Sequence, residues 1–343
     1  MTKLPRLTYC MTIGLDAMSL WISSFHTNNP SMLSRGELDV TGCRRVLDIL
    51  DRFDIKSTFL VPGHTALAYP NLVKEIRGRG HEFAWHGWMH EDARDFSKEE
   101  QRLIIERGLE ALYLVAGVRP RGHVSPAWNM STDTIDLIEE FGFEFDGSRM
   151  ATDHLPVYIR KGDSWTKDGP FQFGELTDIV GIPVAWIMDD VPMFEFAWGE
   201  IPGLKSPGHA EEMWNGELQY ARESCQGGVF NLTVHPQSIT RGARIRVLEM
   251  LLDTASEMNG VRRLIHIAAA RLSPPDFARS RDARTLASQR SSRRDSTTSI
   301  GMMEITPITP PTARPSDIAS CTLPRRSIAC TCSMRRVAIV VQR

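Results

Sequence analysis

The sequence alternates short apolar segments with longer segments of helical periodicity from about residue 8 to residue 258. The apolar segments, such as 8–16, 56–61 and 228–235, are typical of buried strands, and segments such as 35–53 and 98–116 are typical of amphipathic helices. Strands that alternate with helices favour a parallel sheet covered by helices. A barrel of eight strands or slightly fewer is the simplest way to close such a sheet, so we predict an α/β barrel.

Residues able to carry chemistry follow several of the predicted strands. Asp16 ends the first strand, His86 and His90 follow a later one, and His235 ends the segment 228–235. Because the carboxyl ends of parallel strands meet at the mouth of a barrel, these side chains are candidates for one site. The alternative for Asp16 is a local hydrogen bond that caps the next segment.

The segment His86-Gly87-Trp88-Met89-His90 places two histidines four residues apart. This spacing allows two imidazoles to bind one cation, and neutral imidazole is a common ligand for zinc and iron. The alternative is a pair of buried histidines bonded to backbone carbonyls. Two histidines and a carboxylate also suit a non-haem iron oxygenase, but those sites usually lie in antiparallel folds, which the alternation of strands and helices disfavours.

The composition, 42% hydrophobic and 24% charged, is that of a globular protein. No apolar segment reaches the roughly 18 residues of a membrane span, and the first residues lack a signal-peptide pattern. We therefore expect a cytoplasmic protein without a membrane partner. The six cysteines are widely spaced and fit reduced thiols better than a disulfide framework.

Charge divides the chain at Gly260. Residues 261–343 contain 15 Arg, no Lys and 5 acidic residues, whereas residues 1–260 carry a net charge of −12. The second segment is rich in Arg, Ser, Thr and Pro and has no apolar periodicity, so we expect a barrel domain over 1–260 and a disordered tail over 261–343. A basic arm that binds nucleic acid is one interpretation of this tail. We favour the other, a non-native reading frame, and expect no nucleic-acid partner. Within the barrel domain, weak periodicity over 150–178 predicts a surface excursion over the site.

Eight ordered segments resemble the polysaccharide deacetylase (NodB-homology) family, and in particular its branch of allantoinase-like, cyclic imidase-like and peptidoglycan deacetylase-like members. The matching segments are DAMSLW (16–21), SRG (34–36), TFLVPGH (58–64), HGWMH (86–90), SPAW (125–128), GDSW (162–165), IP (182–183) with DD (189–190), and LTVHP (232–236). The resemblance implies an irregular (β/α)7-type barrel. It also implies a metal-dependent hydrolase of non-peptide carbon–nitrogen bonds in an amide, a cyclic imide or an N-acetylated sugar.

Residue by residue, the resemblance implies that Asp16, His86 and His90 hold a divalent metal, usually zinc. Metal-bound water would then attack the carbonyl, and His235 would protonate the departing nitrogen. Asp189 or Asp190 could orient the ring of His235.

Four residues are candidates for the substrate pocket. The resemblance places Trp128 and Trp186 in the pocket wall. Arg35 and His64 are further candidates from their local sequence, with a helix-start ion pair and a turn-stabilising role as the respective alternatives. A homo-oligomer is left open.

Two positions depart from the family pattern. Family members usually carry a second aspartate, the catalytic base, where Gly14 stands, and an arginine that pairs with that base where Val124 stands. If the alignment shifts by two residues, Asp16 is the base instead. We expect the metal to deprotonate water, with help from Glu37 or Glu82. The alternative function is a weakened family member that binds a sugar or an amide without turnover.

Overall fold

The computed structural model describes residues 5–197 and 199–272. Its strands are β1 (Leu7–Gly14), β2 (Thr58–Leu60), β3 (Glu82–Trp85), β4 (Gly122–His123), β5 (Phe145–Asp146), β6 (Val157–Lys161), β7 (Glu175–Gly181), β8 (Gly228–Val234) and β9 (Val261–Arg263). Its helices are α1 (Met18–Ser23), α2 (Pro30–Leu33), α3 (Arg35–Arg52), α4 (Gly63–Ala68), α5 (Pro70–Gly78), α6 (Lys98–Ala116), α7 (Thr134–Glu140), α8 (Asp190–Phe194), α9 (Pro207–Ser224), α10 (Pro236–Ile239), α11 (Ile245–Glu257) and α12 (His266–Leu272).

The strands form one curved sheet in the order β6-β7-β5-β4-β3-β2-β1-β8. Pairing is parallel throughout this path except between β6 and β7. The predicted irregular α/β barrel is thereby confirmed. Parallel pairing sends the carboxyl ends of β1, β2, β3 and β8 to the same edge of the sheet, and that edge carries the candidate site.

The central strand β1 is buried along its whole length. Alternate residues of a strand face opposite sides, so Met11 and Ile13 pack under the helices while Cys10 belongs to the cluster inside the barrel. Full burial on both faces explains why this segment is a nearly continuous apolar run rather than an alternating one.

Capping contacts fix both ends of α6. A capping box opens the helix: Glu100 N–H donates to Ser97 Oγ, and Ser97 N–H donates to the Glu100 carboxylate. Gly117 ends the same helix in the left-handed conformation.

Residues 150–178 do not form an excursion over the site. They contain β6 and most of β7, which pair antiparallel at the edge of the sheet. Exposed and buried residues partly alternate along β7, as on a half-solvated edge strand, and this short pattern was too weak to predict a strand.

The fold also continues past Gly260, where we expected a tail to begin. Strand β9 pairs with residues Leu7–Tyr9 of β1, beside the half of β1 that β2 does not reach. Helix α12 then packs inside the barrel through Ile267, Ala269 and Ala270. The domain boundary expected at Gly260 is therefore too early. Residues 273–343, the rest of the predicted tail, lie outside the described residues.

The buried imidazole of His266 explains why composition failed here. It bonds to Thr58, Asn231 and Thr12 inside the barrel. Backbone pairing in β9 and a polar network around His266 hold the segment in place, and neither needs an apolar pattern.

Among the described residues, every helix is too short or too polar to span a membrane.

Candidate active site and metal centre

The carboxylate of Asp16 lies two residues beyond β1 and is fully buried. Its backbone is fixed from two sides: Leu15 N–H donates to Leu60 O at 2.9 Å, and Thr65 Oγ1 donates to Asp16 O at 2.7 Å. Ala17, the next residue, has a φ of 50°, which L-residues seldom adopt. Such strain persists only where the surroundings hold the chain, as they do at this turn.

Two imidazoles converge on this carboxylate. His86 Nε2 lies 3.6 Å from Asp16 Oδ1, and His90 Nε2 lies 3.9 Å from Asp16 Oδ2. Both Asp16 oxygens are buried and accept no hydrogen bond from any described residue. A buried carboxylate without a donor is costly, so this cluster has the donor set and the unmet need of a cation site.

The other nitrogen of each imidazole is already engaged. His86 Nδ1–H donates to Val124 O at 2.8 Å, and His90 Nδ1 lies 2.8 Å from Ser24 Oγ. These contacts orient both rings with Nε2 toward Asp16. Burial lowers the pKa of His86 to about 3 and also lowers the pKa of His90. Both rings are therefore neutral near pH 7, which is the form that binds metals.

His235 approaches the same carboxylate from β8. Its Nε2 lies 3.6 Å from Asp16 Oδ2, and its Nδ1 lies 2.7 Å from Asp190 Oδ1. Asp190 also accepts the backbone N–H of His235, so one carboxylate fixes both the ring and the main chain. Asp189 lies farther away, with Oδ1 3.8 Å from Nδ1.

At His235, nearby negative charge affects the pKa more strongly than burial does. Burial alone would lower its pKa, but the charge of Asp189 and the hydrogen bond to Asp190 raise the pKa of His235 well above its usual value. Burial raises the pKa of Asp189 to about 7. The carboxylates around His235 thus favour the protonated form of the ring that faces Asp16 from β8.

Gly14 makes the approach of His235 possible. A Cβ placed on Gly14 would lie 2.4 Å from His235 Cδ2 and 2.6 Å from Nε2, far inside van der Waals contact. The imidazole occupies the space that any side chain at position 14 would need. Val124, the second departure, is 2% exposed, lies in the apolar cluster inside the barrel and offers its carbonyl to His86.

A cavity of about 340 Å³ opens above these residues. Trp128 and Trp186 line it together, with ring centroids 4.5 Å apart. Ala127 and Trp128 have φ values of 48° and 54°. Two successive strained residues hold the indole of Trp128 in the cavity wall, a pattern common at functional sites.

Four other residues lie away from this cavity. Arg35 bonds to Glu195 and Phe196, as in the ion-pair alternative, and Glu37 lies near it on α3. His64 Nδ1 contacts Ser19 Oγ, beside the turn that begins α4. Glu82 accepts hydrogen bonds from Thr58 and from Ile267 at the start of α12, at the opposite end of the barrel. None of these four residues lines the cavity. Glu82 is bonded at the opposite end of the barrel, and the side chain of Glu37 is exposed on α3, so neither is placed to help the metal.

One site residue was missed. Asp39, fully buried on α3, accepts Ala17 N–H at 2.7 Å and Gln237 N–H at 3.0 Å. It therefore ties the turn after Asp16 to the turn after His235. Burial raises the pKa of Asp39 to about 8. The available sequence signal was an acidic residue on the apolar face of α3, three residues after Gly36. In the structure, α3 lies close to the turn after Asp16: a Cβ on Gly36 would lie 2.5 Å from the backbone of Ala17.

An α/β barrel with one carboxylate and two neutral imidazoles at its mouth is an arrangement typical of hydrolases. Comparison with known proteins agrees. Residues 35–145 match the family model described as polysaccharide deacetylase. A crystal structure of a protein described as a polysaccharide deacetylase from Mycobacterium smegmatis is 30% identical and superposes with a TM-score of 0.70, over 82% of this chain and 93% of that one. The chain belongs to the polysaccharide deacetylase family.

Two further comparisons concern a sequence relative and a structure that shares the fold. A peptidoglycan deacetylase from Helicobacter pylori is 29% identical over an alignment of 264 residues that covers 73% of this chain and 90% of that protein. An allantoinase structure, 19% identical with a TM-score of 0.64 over 78% of this chain and 90% of its own, shares the fold. This protein is a hydrolase that acts on carbon–nitrogen bonds other than peptide bonds.

Proposed function

We propose that this protein is a metal-dependent deacetylase that removes an acyl group from the nitrogen of an N-acetylated sugar or a related small amide. The observation that carries the proposal is the buried Asp16 carboxylate, which has no hydrogen-bond donor among the described residues and faces two neutral imidazoles. The relatives described as deacetylases support the acyl-transfer chemistry.

The residues present fit a divalent cation. Asp16, His86 and His90 would hold it, because their ligand atoms lie within 4.8 Å of one another and both rings are already oriented by other contacts. We propose zinc, which these ligand types favour. When bound, such an ion acidifies water and polarises a carbonyl oxygen.

His235 supplies the proton for the leaving nitrogen. An amide nitrogen leaves poorly unless it is protonated, so a positioned acid is required. His235 Nε2 points at the Asp16 carboxylate, and the raised pKa keeps a proton on the ring near neutral pH. Asp190 orients the ring through Nδ1 and stabilises its charge.

The pocket favours a compact substrate. About 340 Å³ lined by Trp128, Trp186 and other apolar side chains accommodates a single sugar ring, a linear amide or a cyclic imide. Indole faces bind the apolar face of such rings. We favour the N-acetylated sugar, and thus a role in carbohydrate metabolism, because the Helicobacter pylori relative is a peptidoglycan deacetylase. The cytoplasmic location stays a prediction.

Gly14 favours a second candidate function, a binding protein with little or no turnover. Gly14 offers no carboxylate where the resemblance to the family implies the catalytic base, and the ring of His235 fills the space beside it. Such a protein would bind the same ligands in the same pocket and release no product.

One experiment separates the two functions. The protein is purified, its metal content measured, and acetate release followed from N-acetylglucosamine and its oligomers, with ring opening followed for cyclic imides. A deacetylase releases acetate in proportion to bound zinc, and the His235→Asn variant binds zinc but releases almost none. Ligand binding without product in zinc-loaded protein would instead establish the binding function. Protein that neither takes up zinc nor turns over any substrate would refute the first proposal.

A further inference from the structure

A second cavity, of about 670 Å³, lies outside the metal site. Three arginines line it, Arg35 from α3 and Arg241 and Arg244 from the segment between α10 and α11. The segment 191–204 contributes to both cavities: Pro192 lines the metal pocket, and Glu195 lines the second cavity.

Glu195 holds two of the arginines in place. Glu195 is 6% exposed, and its carboxylate accepts Nη1–H of Arg35 at 3.3 Å, Nη1–H of Arg244 at 3.4 Å and the hydroxyl of Ser238 at 3.0 Å. Each guanidinium also lies over an aromatic ring, Arg35 over Trp21 at 4.7 Å and Arg244 over Phe194 at 5.0 Å. Both planar groups are therefore positioned before any ligand arrives.

The same contacts leave one edge of each guanidinium free. Arg35 and Arg244 use only Nη1 for hydrogen bonds to described residues, at Glu195, Phe196 O and Ser238 O. The Nε and Nη2 donors, which form the two-pronged edge that matches a carboxylate or phosphate, have no acceptor in the described part of the chain. The exposed side chain of Arg241 likewise has no ion pair there.

Charge in the cavity favours an anion. Three arginines face one buried carboxylate, which already accepts three hydrogen bonds, and one exposed carboxylate, Glu37, so the lining carries a net positive charge. The oriented guanidinium groups of Arg35 and Arg244, together with Arg241, provide more positive charge than the buried carboxylate of Glu195 requires.

We propose that this cavity is an oxyanion-binding site that takes a phosphate or carboxylate group of a ligand through Arg35, Arg241 and Arg244. Its volume exceeds that of a free inorganic ion, so the natural ligand carries the oxyanion on a larger body. The shared chemistry is a planar or tetrahedral oxyanion, and phosphate and carboxylate are its two possible sources.

Calorimetric titration of the full chain with inorganic phosphate and with succinate, at constant ionic strength, tests the proposal. Arg244→Lys keeps the positive charge beside Glu195 but removes the paired Nε and Nη2 donors of the guanidinium, so we expect about tenfold weaker binding. Arg241→Gln weakens binding severalfold. Arg246→Gln is the matched control, since Arg246 is an exposed arginine of α11 outside the cavity, and it should bind as the unmodified protein does.

Phosphate could also bind a metal at Asp16, so the titration is repeated in the Asp16→Asn variant. Binding that survives Asp16→Asn and falls in Arg241→Gln and Arg244→Lys supports the site, whether or not the protein deacetylates anything. A preference for phosphate or for succinate identifies the source of the oxyanion. Binding that is lost in Asp16→Asn, or that is unchanged in both arginine variants, overturns the proposal.

Discussion

Two groups of buried histidines and aspartates meet at the pocket, and they have opposite electrostatics. In the first, one carboxylate, Asp16, faces two imidazoles, and the pKa values of His86 and His90 are lowered. In the second, Asp189 and Asp190 face one imidazole, and the pKa of His235 is raised. All of these side chains are buried, so burial cannot explain the difference. The ratio of carboxylates to imidazoles decides which rings are neutral and which are charged.

The comparison explains how one residue type serves two roles. A neutral imidazole offers a lone pair to a metal, whereas a protonated imidazole offers a proton. The following variants change one group at a time, and we order them from the largest expected effect to the smallest.

Asp16→Asn keeps the shape of the first group and removes its charge. We expect loss of zinc and a fall in acetate release of about a thousandfold or more, because the proposed ion contributes several kcal/mol to catalysis. Elemental analysis and the initial rate check this. Asp48→Asn, on the exposed side of α3, is the control. Full zinc content in Asp16→Asn would contradict the assignment of the ligands.

Asp190→Asn removes one negative charge beside His235 and leaves the three proposed metal ligands unchanged. We expect turnover about a hundredfold lower with zinc retained. A proton donor must be protonated, so activity falls as pH rises through the pKa of His235. Removing a negative charge lowers that pKa, and the alkaline limb of the profile of kcat against pH should move to lower pH. An alkaline limb that stays in place would show that His235 does not titrate in this range.

Gly14→Ala pushes the two groups apart. The new Cβ would overlap His235 Cδ2, so the ring must move from Asp16, and we expect roughly tenfold slower turnover with unchanged zinc content. Gly14→Asp should fail for the same reason and should not restore a base. Faster turnover in either variant would show that His235 tolerates the displacement and that only the missing carboxylate limits the enzyme.

Asp39→Asn loosens the link between the two groups. The amide keeps one acceptor for the N–H groups of Ala17 and Gln237 and loses the other, so we expect a free energy of unfolding lower by about 1–3 kcal/mol and a few-fold loss of activity. Urea denaturation measures the first effect. The exposed Asp48→Asn variant should lie within about 0.5 kcal/mol of the unmodified protein.

Sequence reasoning predicted the parts of the molecule that local pattern controls. The buried run of β1 and the carboxyl ends of the parallel strands predicted that Asp16, His86, His90 and His235 lie in the same region. Each of these features depends on residues close together in the chain.

The errors concern contacts between distant segments. The positions of Arg35 and His64 depend on which neighbour each side chain meets, and the sequence does not specify those neighbours. The fold past Gly260 depends on the free edge of β1 and on partners of His266 that lie 35 to 254 residues away. Asp39 was missed because its partners are backbone groups, which leave no mark on composition.

Helix α12 packs in the interior of the barrel at the end opposite the mouth. Its apolar face lies in one cluster with Cys10, Leu60 and Val229. Packed side chains therefore lie beneath the pocket that contains the proposed metal ligands, and we expect a substrate to approach these ligands from the mouth. A bond that projects from the side of a chain, as an N-acetyl group does from a sugar, can enter such a pocket while the rest of the chain stays outside.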